Sequence, residues 1–224
     1  MCKRHPTDES VCLEVERFCA LVHQLKVEHH TGEALLSDEQ TRSLMEKTAR
    51  AFFEVVTNTL IDHFLLGVAK LSDPATSSHG KDENLTIDNM LLTVDWAPDV
   101  SSELARLNEA VHQFRGYIKK ARDKLLAHYD KGIVLSGKTL GAFPPREERR
   151  VLDVLEEMCN LMYKASTGGT YGQMLCSKQG DVSYLREAMK KAIAFDKLVE
   201  QSKGEELHRL LQCLHDVGKS GSAG

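Results

Sequence analysis

The chain has 224 residues, 42% of them hydrophobic and 28% charged, with a net charge of −4. That length suits one domain whose core buries roughly 70% of the unfolded surface. The acidic balance excludes a polycation that holds nucleic acid through its overall field, so any such contact needs a local patch.

The six cysteines (Cys2, Cys12, Cys19, Cys159, Cys176 and Cys213) contain no C-x-x-C pair. This argues against a zinc knuckle or a secreted disulfide framework and for a reducing compartment. The start, Met1 to Pro6, leads into an acidic stretch without an apolar h-region, so no signal peptide is expected. No apolar run approaches the roughly 18 residues of a membrane span. The expectation is a cytoplasmic protein with no membrane partner.

In chain order, Val11, Val15, Phe18, Val22 and Leu25 keep one face apolar and predict a helix from about Asp8 to Val27. Glu28-His29-His30-Thr31-Gly32 is expected to break it. The histidine pair invites a metal, but adjacent residues point about 100° apart on a helix, and there is no partner motif. Ser37 to Gln40 has capping-box spacing. It opens a long Leu-, Phe- and Val-rich helix from Thr41 to Leu71, which Asp73-Pro74 ends. A loop over 75–84 precedes a short helix from Thr86 to near Trp96.

Ser101 or Ser102 is expected to cap a central helix running to about Asp130, with Gly132 as its stop. Residues 133–143 read as a loop or small hairpin. Pro144-Pro145 opens the next helix, with Leu152, Leu155, Met158 and Met162 inward. A glycine-rich connection over 166–180 leads to a helix capped by Asp181 and running to about Lys203, then a last short helix over 205–217. The tail, 218–224, reads as disordered. No stretch alternates with period two, so the fold class is all-α, a bundle of long antiparallel helices in a single domain over 1–217.

Two motifs match by letter and fail by context. Gly132 to Thr139 satisfies G-x-x-x-x-G-K-[ST], but a phosphate loop needs a strand before it and a helix after it. Here a helix precedes it, and Leu140 to Pro145 lies after it. His215-Asp216 resembles the pair of HD-type phosphohydrolases, yet no later Asp, Glu or His can complete a metal site.

The most informative stretch is Lys119 to Asp130. Leu104, Leu107, Val111, Phe114, Ile118, Ala121 and Leu125 step by threes and fours, the spacing of one buried helix face. The next position in that rhythm is His128, where a leucine would pack better. Arg122 precedes it by six residues, about 120° round a regular helix. One ideal helix would not aim both at one atom. Fraying near Gly132, a long arginine reaching round, or two copies of the helix meeting across a twofold axis would, and the last is the most economical.

Arg122-Asp123-Lys124-Leu125-Leu126-Ala127-His128-Tyr129-Asp130 resembles the R-[ND]-x-x-x-x-H signature of HEPN domains. More narrowly it is similar to the AbiU-type group linked to abortive infection, whose motif reads approximately R-[ND]-K-x-x-A-H-x-D. The likeness takes in Ala69 to Pro74, Asn84 to Ile87 and Gly180 to Leu185, and covers roughly residues 10–200. It implies an HEPN-like bundle and a metal-independent endoribonuclease that acts without a cofactor on RNA, as a homodimeric toxin or antiphage effector.

In that reading Arg122 and His128 are catalytic. His128 acts as base on the ribose 2′-OH or acid toward the leaving 5′-oxygen, and Arg122 neutralises charge on phosphorus. Asp123, Lys124, Tyr129 and Asp130 support them, while Arg115, Lys119 and Lys120 bind RNA. Asp62 and His63 on the long helix are polar intrusions that could complete the cleft. In HEPN toxins modified by a nucleotidyltransferase antitoxin, the tyrosine lies two residues after the histidine. Tyr129 is adjacent, which argues against that antitoxin, though a regulatory partner fits. The alternative is a non-catalytic helical module that binds a protein, nucleotide or RNA, its Arg-Asp-Lys cluster forming surface ion pairs.

Overall fold

The computed structural model describes residues 3–76, 83–123, 135, 142–172, 181–202, 204, 206, 208–209 and 211–213. Its helices are α1 (Glu9–Leu36), α2 (Glu39–Leu71), α3 (Ile87–Thr93), α4 (Pro98–Ala121), α5 (Glu147–Thr167) and α6 (Val182–Gln201). Among the described residues there are isolated bridges, such as Arg4 with Val94, and no strand. The chain is all-α, as its periodicity predicts.

These helices divide between two compact units, Met1–Gly32 with Thr57–Leu175, and Glu33–Val56 with Cys176–Gly224. The first holds most of the apolar core. On α1, Val11, Val15, Phe18, Val22 and Leu25 are all buried, the predicted face. α4 buries Leu104, Leu107, Val111, Phe114, Ile118 and Ala121 and packs against α5, which buries Leu152, Leu155, Met158 and Met162. Phe114 meets Phe64 of α2 and Phe143, with ring centroids 6.1 and 5.0 Å apart. Gly67 lets α1 come close, since a Cβ there would stand 2.3 Å from Leu25 Cδ2. Arg4 straps the N-terminal segment down. Its guanidinium donates to both Glu14 oxygens (2.6 and 2.9 Å) and to Thr93 Oγ1 (2.8 Å).

In the second unit Asp38, not Ser37, caps α2. Its carboxylate accepts from Thr41 N at 3.0 Å and Thr41 Oγ1 at 2.6 Å, and these bonds, the hydroxyl's foremost, hold its pKa below the usual value. Asp181 caps α6 as expected, accepting from Tyr184 N at 3.0 Å. Thr48 Oγ1 lies 3.4 Å from Met189 Sδ, and Met45, Phe53 and Met189 are buried.

Several boundaries differ from the sequence reading. α1 runs through the expected break to Leu36. One glycine costs a helix only about 1 kcal/mol, and Glu28 hydrogen-bonds His63 of α2 from within that stretch. α2 kinks at Ala49. α3 stops at Thr93, because Val94 turns extended. α4 begins three residues before Ser101, with Pro98 opening its first turn, where a missing N–H costs nothing. Leu135, within the expected loop, is helical; the rest of 133–141, all of the Gly132–Thr139 match but Leu135, the His215-Asp216 match and the tail over 218–224 lie outside the described residues. Among the described helices, α2 is long and apolar enough by length and composition to cross a membrane. It also carries Asp62 and His63, and His63 pairs with Glu28, groups that hydrocarbon would penalise.

Candidate functional site

The site grows from the division of α4 into two faces. Its apolar face is fixed in the core. Residues 108, 112, 115, 119 and 122 recur at intervals of three and four and form a second, polar stripe about 90° away: Asn108, His112, Arg115, Lys119 and Arg122.

At the C-terminal end of that stripe two arginines converge on one carboxylate. Arg115 Nη1 donates to the Ser72 carbonyl at 2.8 Å, and its Nη2 donates to Asp73 Oδ1 at 3.0 Å. Arg122 Nη2 donates to Asp73 Oδ2 at 2.9 Å. Ser72 and Asp73 close the C-terminal turn of α2, where unpaired carbonyls attract cations. Lys119 Nζ donates to Asp123 Oδ2 at 3.1 Å, and Asp123 Oδ1 lies 3.6 Å from Arg122 Nη1. Among the described residues here, Arg115, Lys119 and Arg122 pair with two carboxylates (Asp73 and Asp123) and Lys120 is exposed beside them, a local positive excess on an acidic protein. Such a patch suits a phosphodiester.

Regular α-geometry ends at Ala121, and the chain widens into a π-type turn at Arg122 and Asp123, a departure found often at functional positions. Lys124, His128, Tyr129 and Asp130 lie outside the described residues.

The family model HEPN_AbiU2, described as AbiU2, matches residues 15–185. The chain belongs to this HEPN family. The match covers both faces of α4 and the Arg122–Asp130 motif. No curated protein and no solved structure matches the chain.

Two features of this HEPN domain escape a reading by sequence. Asp73 looks like a helix stop, because proline comes next; only the fold shows that both arginines share it. Further along the stripe, Asn108 Nδ2 donates to Asp88 Oδ1 of α3 at 3.1 Å, and His112 Nε2 lies 3.3 Å from the same oxygen. No periodicity links Asp88 to His112, and Asn108 Oδ1 is buried without a partner. His63 does not join the arginines. It pairs with Glu28, eight residues and about 12 Å of helix before the end of α2. On α1 the ligand nitrogens of His29 and His30 lie within 4.8 Å of one another, and the two rings meet edge to face with centroids 6.0 Å apart; the His29 ring also lies against Phe64 at 5.2 Å.

Proposed function

We propose that this HEPN protein is a metal-independent endoribonuclease of the cytoplasm that acts as a homodimer, an abortive-infection effector toxic to its host when active. The observation that carries the reading is the placement of Arg122. It stands at the end of a helix anchored by its other face, beside Arg115, within the family match. Arg122 would neutralise the pentacoordinate phosphorus, donating from its planar fork. His128 would take the proton of the ribose 2′-OH as O2′ bonds to phosphorus, or protonate the leaving 5′-oxygen as the P–O5′ bond breaks. In a dimer the two copies could divide those roles. The products are a 2′,3′-cyclic phosphate and a 5′-hydroxyl. Arg115, Lys119 and Lys120 would hold neighbouring phosphates. Exposed Phe52 and Val55 on α2 (62 and 65% exposed) are apolar groups of the kind a subunit interface covers. No cofactor is required.

The test is growth. Induced wild type should arrest its host, while Arg122→Ala and His128→Ala, at equal soluble levels, should not. Equal arrest by all three would contradict the reading. A second reading, a non-catalytic interaction module, is favoured by the Asp73 bridge, since both arginines already have a carboxylate partner there. It predicts that Arg122→Ala lowers the melting temperature and changes nothing about RNA.

A further inference from the structure

The geometry points to Asp73 as a positioning residue of this site: its carboxylate holds the Arg122 guanidinium in the orientation that meets the scissile phosphate. The inference rests on the ribonuclease reading above. Asp73 divides its two oxygens between two arginines, Oδ1 to Arg115 and Oδ2 to Arg122. Arg115 is fixed twice, on the Ser72 carbonyl and on Asp73, so it locks the carboxylate and aims the remaining oxygen at Arg122. Asp73 and Arg115 are the more enclosed members, with side chains 20 and 22% exposed, and Arg122 is the more open at 29%.

A guanidinium carries five N–H donors. Among the described residues, the bond to Asp73 engages one nitrogen, and Asp123 stands beyond hydrogen-bond range at 3.6 Å, so against these partners the fork keeps donors for phosphate oxygens. Without the carboxylate, Arg122 is a long flexible side chain on a widened terminal turn, and it would have to be ordered again at each encounter with substrate.

The two consequences of losing Asp73 have opposite signs, which separates orientation from mere support. Asp73→Asn removes a negative charge beside the RNA, so KM should stay level or fall. The loss of orientation should lower kcat by about tenfold or more. Asp73→Glu keeps the charge but displaces it by a methylene, and its kcat should lie between the other two. The experiment is steady-state cleavage of a fluorogenic RNA in EDTA by the full chain, with a thermal melt of each variant.

A fall in kcat at unchanged or lower KM, in folded Asp73→Asn, supports the inference. Wild-type or higher kcat overturns it and makes Asp73 a bystander or a blocking group. A higher KM at unchanged kcat also overturns it, leaving a structural bridge. Should Asp73→Asn not fold, Asp73→Glu decides: lowered kcat supports the inference, and wild-type kcat overturns it. Absence of cleavage by wild type would sink the ribonuclease reading and this inference together, whereas cleavage indifferent to Asp73 sinks this inference alone.

Discussion

Phe114→Ala tests the face of α4 on which the whole site depends. Phe114 is fully buried, and its ring meets Phe64 and Phe143 with centroids 6.1 and 5.0 Å apart. Truncation removes the ring and leaves a cavity beside Phe64 and Phe143 in the buried core. Such a change costs about 3–5 kcal/mol, the lost aromatic pairs included. Against a total stability of about 5–15 kcal/mol, that is a large fraction. At about 2–4 °C per kcal/mol for a chain of this size, the melting temperature should fall by about 6–20 °C. Urea unfolding and a thermal melt, both followed by circular dichroism, measure the free energy and the midpoint temperature, with Gln113→Ala, one residue away on the exposed side, as a control expected within about 0.5 kcal/mol. A Phe114→Ala cost below about 1 kcal/mol would refute the argument, since a ring so enclosed cannot leave that cheaply.

Other outcomes concern polar groups in the same unit. Asp88→Ala removes the acceptor of the buried Asn108 amide and should cost about 1–3 kcal/mol; an unchanged urea midpoint would contradict it. Trp96→Phe loses the bond from Nε1 to the Met90 carbonyl at 2.9 Å. That carbonyl keeps Val94 N as a donor, so the loss should be about 1 kcal/mol. Burial raises the Tyr171 phenol to about 12. A raised folded pKa means stability fully present below the unfolded value near 10 and lost as pH rises from there through about 12. Ultraviolet titration should show a late phenol ionisation that Tyr171→Phe abolishes. A titration curve unchanged by that substitution above pH 10 would contradict the burial.

The buried faces of α1, α4 and α5 were legible because helical period and apolar identity repeat each other at every step. Val11 to Leu25, Leu104 to Ala121 and Leu152 to Met162 are buried as their spacing predicts. Boundaries were less legible. Glycine and histidine over 28–32 resemble a break, yet α1 continues through them and Glu28 there pairs with His63 of α2. Ser37 resembles a cap, but the neighbouring Asp38 offers two acceptor oxygens and takes the role. The arginines could be named from their motif and cationic run. Asp73 could not, because its partners are 42 and 49 residues away in sequence, and only the packing of α2 and α4 brings them together. Asp88, Asn108 and His112 escaped for the same reason.

The central claim is tested most directly by incubating RNA with wild type, Arg122→Ala and His128→Ala in excess EDTA and identifying the product ends. The account predicts that wild type cleaves despite chelation and leaves 2′,3′-cyclic phosphates, and that both variants remain folded and inert. Cleavage that survives in folded Arg122→Ala would contradict it, as would a folded, dimeric wild type that leaves a broad panel of RNAs intact.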